Sequence, residues 1–280
     1  MKSMITLREH LVYELECDLF AARVRGPQSQ LVVNYGYEGV VALDCIQRRQ
    51  LPVISFPTDD FSIYSWAMSP KGDVSYAFSG DPGEGALLID HEKETSVPLD
   101  LPAGMPLVSD LNWFSPSTCV WGYDGGLWTI NGPVVRRATE SDATVYMSYF
   151  YRRVLSHYAV VKTDPYQRGL YVRSKEFERK TIGFMPFDSN KQPLLLEQDG
   201  SAVDTTSFGD TLFVSFESEI LVLEGGTTRT LMRAQEGELF VRINVVEHAG
   251  DACLTVISSA EDHLNPARGR VTIYQILRGT

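Results

Sequence analysis

A short unit recurs along this chain: an extended run, a turn, a second run, a turn, a third run and, in most copies, a fourth. The clearest copy reads SIYSWAMSP (62–70), DVSYAFSG (73–80), GALLIDH (85–91) and TSVPLDL (95–101). The next follows at once as VSDLNWFSP (108–116), TCVWGYD (118–124), GLWTING (126–132) and VVRRATE (134–140). Each run is rich in β-branched and aromatic residues, and Gly, Pro, Asp and Ser punctuate the runs at near-even spacing. One such sheet cannot bury its apolar faces alone. Stacking each sheet against the next buries them, so the repetition constrains the fold to radially repeated antiparallel sheets.

Four further copies complete the pattern. They are LFAARVRG, QLVVNYG, GVVALDCI and QLPVISF (19–56); VYMSYFYR, VLSHYAVVK, GLYVRSKE and KTIGFMPF (145–187); AVDTTSFG, TLFVSFE, EILVLEG and TRTLMRA (202–234); and LFVRINVVEH, ACLTVISSA and GRVTIYQIL (239–277). The expected fold is all-β: residues 1–280 as a single β-propeller domain of six blades, each of four antiparallel strands. Seven blades is the alternative, because residues 11–20 read either as strand or as loop. The last copy has three strands, and the run SMITLREH (3–10) has no place in the first. Supplying the missing outer strand from that run closes the ring and leaves no long sheet edge exposed. Runs such as TLFVSF and ALLI are nearly continuous in apolar content, as strands buried on both faces are. The longest stretch read as irregular is DSNKQPLLLEQDGSAVDTT (188–206).

The turn within WAMSPKGDVSYAF (66–78) resembles the aromatic-x-x-Ser-Pro-Asp-Gly turn of TolB-like and WD-repeat propellers, with Lys71 in place of the Asp. NWFSPSTCVWGY (112–123) is a second, weaker copy that lacks the Gly. Pro presets one turn dihedral and Gly accepts a positive φ, so the chain reverses between first and second strands. No Trp-Asp dipeptide closes a unit. The resemblance implies a propeller and no particular activity.

Composition narrows the function classes. Apolar residues make up 44% of 280 residues, enough for a continuous core. No run is apolar for long enough to span a bilayer, and MKSMITLREHLVYELECD lacks the apolar stretch of a signal peptide, so the expected location is the cytoplasm. Cys17, Cys45, Cys119 and Cys253 are dispersed with no C-x-x-C pair, which reads as reduced thiols in a reducing compartment. The net charge of −11 disfavours nucleic acid and anionic membranes and favours a basic protein as partner.

Catalytic motifs are weak. HEKET (91–95) lacks the second histidine of a zinc-protease helix. His10, His91, His157, His248 and His263 have no ligand spacing, so no metal and no cofactor is expected. YDGGLWT (123–129) is similar to the Asp-box turn of sialidase-type propellers, but its aromatic residue stands one position early. GDPGEG (80–85) opens no helix and so makes no phosphate cradle. A hydrolase or lactonase with a divalent cation at the central channel would need inward acids at the starts of inner strands, and Asp110, Asp142 and Asp204 are the candidates.

Charge placement carries more information. In a propeller, the loops between blades and those between second and third strands share one face. Sorted this way, that face holds Glu38, Asp59, Asp60, Asp81, Glu84, Asp124, Glu140, Asp142, Asp188, Glu236 and Glu238 among others, against Lys162, Arg168, Lys191 and Arg268. The other face holds Arg25, Arg48, Arg49, Lys71, Lys93, Arg136, Arg137, Arg152, Arg153, Lys175, Arg179, Lys180 and Arg229, with fewer acids among them. The reading this supports is a non-enzymatic binding protein whose acidic face holds a basic partner. Asp59, Asp60, Glu140, Asp142, Glu236 and Glu238 lie near the contact, and Tyr37 and Tyr166 serve as aromatic anchors. A bacterial immunity protein that neutralises a toxin suits this description. An assembly scaffold in a permanent complex and the metal-dependent hydrolase are the alternatives.

Overall fold

The computed structural model describes residues 4–25, 30–37, 39–47, 49–55, 61–69, 71, 73–79, 85–105, 108–113, 118–122, 127–138, 158–164, 169–174, 181–186, 188, 190–198, 202–248, 250–260 and 268–278. They form strands and turns, with no helix among them. The chain divides into two compact units: residues 1–54 with 198–280, and residues 55–197.

The first unit opens with β1 (Ile5–Leu15), then β2 (Ala22–Arg25), β3 (Gln30–Tyr35), β4 (Gly39–Asp44), β5 (Arg49–Gln50) and β6 (Ile54–Ser55). The second unit contributes β7 (Ile63–Met68), β8 (Val74–Ser79), β9 (Ala86–Asp90), β10 (Thr95–Pro98), β11 (Val108–Trp113), β12 (Thr118–Gly122), β13 (Leu127–Asn131), β14 (Val134–Arg137), β15 (Tyr158–Asp164), β16 (Gly169–Ser174), β17 (Thr181–Pro186) and β18 (Leu194–Glu197). The first unit resumes with β19 (Asp204–Phe208), β20 (Thr211–Ser215), β21 (Glu219–Glu224), β22 (Thr227–Arg233), β23 (Glu238–His248), β24 (Asp251–Ala260) and β25 (Gly269–Arg278).

These strands pair into five four-stranded sheets and one five-stranded sheet. Consecutive strands within a sheet pair antiparallel, as short hairpin turns require. The five-stranded sheet corrects the expectation of four strands in every unit. Its order is β2-β3-β4-β5 with β6 also on β4, because the outer run QLPVISF is interrupted at Pro52 and makes two short strands instead of one.

Two further boundaries differ from the sequence expectation. The N-terminal strand continues to Leu15, which removes the free run on which a seventh unit depended. The fourth unit is displaced by one strand: its first strand is β15, and its outer strand is β18, inside the stretch read as irregular. β18 gives a weak signal because only Leu196 of its four residues is buried. The aromatic run 145–152, expected as the first strand, lies outside the described residues.

Several turns share one device. Asp44 closes β4, and its Oδ1 accepts the amides of Ile46 and Gln47 at 2.9 and 2.7 Å. Asp90 closes β9 and accepts those of Glu92 and Lys93 at 3.1 and 3.0 Å. Asp188, just past β17, accepts that of Asn190 at 3.0 Å. An Asx turn thus ends the third strand in three sheets. A second device is a bulge near the start of the innermost strand. The register slips between Ile63 and Ser65, Val108 and Asp110, Val160 and Lys162, and Phe240 and Arg242. Such bulges sharpen strand twist.

In the first unit, the sheet β1-β25-β24-β23 is buried on both faces. Val246, Cys253, Ile257, Val271 and Ile273 pack with Leu15, Leu19, Leu31, Val33, Val41, Leu43 and Cys45. The alternate residues Val245, Ala252, Leu254, Val256 and Ile276 pack with Ile5, Phe213, Ile220 and Val222. Strand period two sends neighbouring residues to opposite cores, which explains the unbroken apolar runs. In the second unit, Ala67, Tyr76, Phe78 and Ala86 pack against Leu111, Trp128, Ile130 and Val135.

The N-terminal strand is antiparallel to β25 over its length, with a bulge between Glu9 and Leu11. The bulge changes which core its odd residues reach. Ile5 and Leu7 join the cluster with Phe213, whereas Leu11, Tyr13 and Leu15 join the cluster with Leu31. The neighbouring sheet also grips its start: the Ile5 amide donates to Glu224 Oε2 at 3.1 Å, and Arg229 Nη2 donates to the Ile5 carbonyl. Replacing the fully buried Ile5 by Ala should cost about 2–5 kcal/mol in urea denaturation. Removing residues 1–10 should lower the melting temperature by at least as much as that single change does. A melting temperature unaffected by the deletion would contradict a structural role for this strand.

Candidate functional site

The start of β19 lies beside the middle of β23 in parallel orientation. Asp204 Oδ2 accepts the Ile243 amide at 3.0 Å, and Thr206 Oγ1 accepts that of Val245 at 3.1 Å. The connection from β20 to β21 reaches the same end, where the Glu217 carbonyl accepts the Phe240 amide and the Ser218 carbonyl that of Ala234. The segment leading into β2 arrives there too. A Cβ at Gly269 would stand 2.2 Å from Leu19 Cγ and 2.9 Å from the Cys17 carbonyl, so only glycine lets the segment lie on the first turn of β25. One end of the first unit therefore gathers residues 14–21, 34–37, 216–218, 234–238 and 268–270.

Asn34 organises this end. It is 1% exposed, and its side chain makes four hydrogen bonds. Its Oδ1 accepts the amides of Phe20 and Ala21 at 2.9 and 3.0 Å, and its Nδ2 donates to the carbonyls of Asp18 and Gly36 at 2.6 and 3.0 Å. These fill the full capacity of the amide group. Gly36 takes φ +60° in the turn between β3 and β4. The next residue, Tyr37, stacks on Phe20 with ring centroids 5.1 Å apart and an interplanar angle of 22°. Tyr37 remains 48% exposed, and Tyr35 is exposed beside the turn.

Charge around this pair is mostly negative. Glu14, Glu16, Asp18, Glu217 and Glu236 are exposed, as are Arg233 and Arg268. Glu238 is not available as a free carboxylate. Its Oε1 accepts Arg270 Nη1 at 3.2 Å, its Oε2 accepts Ser258 Oγ at 3.3 Å, and Arg270 Nη2 reaches Glu14 Oε1 at 3.7 Å. This row crosses all four strands of the sheet that holds both chain ends.

The residues singled out from sequence fare unevenly. Tyr37 and Glu236 stand exposed at this end, and Glu238 is tied into the row just described. Asp59, Asp60, Glu140, Asp142 and Tyr166 lie outside the described residues. The displaced fourth unit alters the charge sorting on which that expectation rested. Asp188 and Lys191 fall between β17 and β18, a third-to-fourth-strand connection, while Lys175, Arg179 and Lys180 fall in sequence between β16 and β17, a second-to-third-strand connection. That unit's contribution to the two-faced pattern is reversed. Arg49, Arg136, Arg137 and Arg229 belong to strands and not to loops.

Asp204, a candidate cation ligand, is 3% exposed and already accepts the amides of Thr205 and Ile243. It ties two sheets together, and its pairing with Thr206 follows from their spacing on one face of β19. Among the described residues, no three His, Cys, Asp or Glu side chains converge in the way a metal ion needs. The side chain of Asp110 lies outside the described residues.

One constellation was missed from sequence. His91 Nε2 stands 2.8 Å from Ser75 Oγ, and the His91 amide donates to the Asp73 carbonyl at 2.8 Å. Ser69 Oγ donates to Asp73 Oδ1, which holds that carboxyl below its ordinary pKa. The order Asp, Ser, His invites comparison with a nucleophilic triad, but Ser75 is fully buried and closed to substrate. The cluster fastens the Ser-Pro turn to the turn after β9. The signal is the serine that closes the aromatic-x-x-Ser motif, four residues before Asp73. The free thiols of Cys17, Cys45 and Cys253 are all raised in pKa, mainly by burial, with Cys253 pushed up to about 11. They are protonated at neutral pH and poor nucleophiles.

No family model matches the chain, and no curated protein matches it. The chain is similar in structure to the β-propeller domain of Cps50 (Swd1) from Myceliophteria thermophila, with a TM-score of 0.60 and 13% sequence identity, over 97% of this chain and 100% of that one. The fold is a β-propeller. It is WD-repeat-like. At this identity the likeness concerns fold alone. Among the described residues, no helix is long and apolar enough to cross a membrane.

Two outcomes test these assignments. Asp204→Ala should lower stability by about 1–3 kcal/mol, since it leaves the Ile243 amide buried without its acceptor. A urea midpoint unchanged by the substitution would return Asp204 to the list of groups available for chemistry. Burial lowers the pKa of His91, against the opposing pull of Asp90 and Asp73. The unfolded chain therefore binds the proton more tightly, and stability falls as pH drops through about 6.5. The loss in unfolding free energy between pH 7.5 and pH 5.5, as measured in urea, should be smaller in His91→Gln than in the unmodified protein.

Proposed function

We propose that this chain is a non-enzymatic, protein-binding propeller whose acidic end engages a basic protein. The observation that carries the reading is the set of exposed carboxylates of Glu14, Glu16, Asp18, Glu217 and Glu236 at the same end of the first unit as the exposed Tyr35 and Tyr37. Carboxylates above a compact scaffold speed encounter with a cationic surface, while desolvated aromatic rings supply much of the binding energy. The net charge of −11 acts in the same sense. In this reading residues 1–280 are one propeller domain, and β1 closes its ring by joining the chain's two ends. The structural likeness over 97% of the chain supports a single domain. The free thiols suit a reducing, cytoplasmic setting.

The partner we infer is a basic protein whose functional cleft the carboxylates cover, as a toxin-neutralising immunity protein would do. A toxin gene immediately upstream favours this role, and a constitutively co-expressed structural protein there favours a scaffold.

The direct test reverses Glu16, Asp18, Glu217 and Glu236 to Lys together. Proteins retained by the unmodified chain are identified by mass spectrometry, and the purified partner's association rate is measured at low and at high salt with both forms. A basic partner whose association rate falls at least about tenfold on reversal, with most of its salt dependence lost, is expected. An association rate and salt dependence indifferent to the reversal would refute the acidic-end reading.

A further inference from the structure

Asn34 fixes two backbone stretches at once. A buried amide spends every donor and acceptor it has on the segment 18–21 and on the turn at Gly36. These are the two backbone stretches that carry Phe20 and Tyr37. The consequence is a fixed aromatic pair, with Phe20 lying nearly parallel to Tyr37 at 5.1 Å. Phe20 covers one side of the Tyr37 ring, and Tyr37 remains 48% exposed. Asp18 stands on the same clamped segment and Glu16 two residues before it, and both are exposed.

We propose that the Phe20–Tyr37 pair, with Glu16 and Asp18 beside it, is the seat of an arginine side chain from a basic segment of the partner. The proposal rests on the protein-binding reading above and names the group that this end accepts. An aromatic face attracts a cation through its quadrupole. Arginine suits the place better than lysine, because a planar guanidinium can stack on the ring while its N–H fork reaches a carboxylate. The clamp holds the ring in advance, so binding orders little that is not ordered already. Charge complementarity selects the occupant: an acidic or neutral segment would meet two carboxylates and no cation on this stretch of chain.

The test uses the full chain, labelled with ¹⁵N, and an acetylated, amidated hexapeptide of alternating glycine and arginine. The same peptide with citrulline, or with lysine, in place of arginine serves for comparison. Expected are saturable amide shifts at Phe20, Gly36 and Tyr37 with the arginine peptide, weaker binding of the lysine peptide, and none of the citrulline peptide. Tyr37→Leu, which keeps an apolar group on Phe20, should weaken the arginine peptide about three- to fivefold. The pair Glu16→Gln and Asp18→Asn should weaken it by a similar factor and reduce its salt dependence, and this pair leaves the aromatic packing untouched should Tyr37→Leu fail to fold. Asp210→Asn, an exposed acid in the β19–β20 turn, should leave binding unchanged. If the charge-neutralising pair weakens binding but Tyr37→Leu does not, the arginine seat is wrong, while the acidic-end reading stands. If the arginine peptide moves no resonance at this end, or if citrulline binds equally well, the seat is overturned outright.

Discussion

A single bulge in the N-terminal strand sets the arrangement on which the rest of the first unit depends. In a regular strand, Ile5, Leu7, Leu11, Tyr13 and Leu15 would all face one way. The slip between Glu9 and Leu11 sends the first two into the cluster around Phe213 and the last three into the cluster around Leu31. One strand thereby completes the sheet at the chain's end and packs against the sheets on both of its flanks. Each fully buried aliphatic side chain contributes on the order of 1.5–3 kcal/mol, so this strand is a main element of the core and no appendage.

The same strand connects the core to the candidate site. Glu14, near its end, stands 3.7 Å from Arg270, which also holds Glu238. Past Leu15 the chain crosses Gly269 and delivers Asp18 and Phe20 to the place where Asn34 fixes their backbone. The acidic, aromatic end is therefore built from segments far apart in sequence and held by buried polar groups whose hydrogen-bonding capacity is spent. A surface of this kind can present charge without rearranging.

Buried polar groups serve the fold elsewhere in the same way. Asp204 and Thr206 supply acceptors to the amides of Ile243 and Val245 in β23, which stands at the edge of its sheet. His91 and Ser75 fasten the turn after β9 to the start of β8. Side chains that look catalytic in isolation are thus spent on satisfying backbone and turn groups, as expected where unpaired buried donors are costly.

The repeat of short apolar runs determined the all-β class, the propeller architecture and most strand positions, because period-two patterning and turn residues are local properties. The pairing of the N-terminal run with the last strand followed from counting strands. Signals failed where they were not local. Leu194–Glu197 has one buried residue and no pattern, so only its pairing with β17 reveals it as a strand. The run QLPVISF reads as one strand, but the ladder with β4 accepts it only in two pieces. Net charge and the exposure of Tyr37 were legible in composition and turn placement. That Glu238 is neutralised by Arg270, that Asp204 serves a neighbouring strand, and that Asn34 clamps Phe20 to Tyr37 were decided by tertiary structure alone. Each depends on which distant segments share an end of the sheet, and sequence spacing carries no information about that.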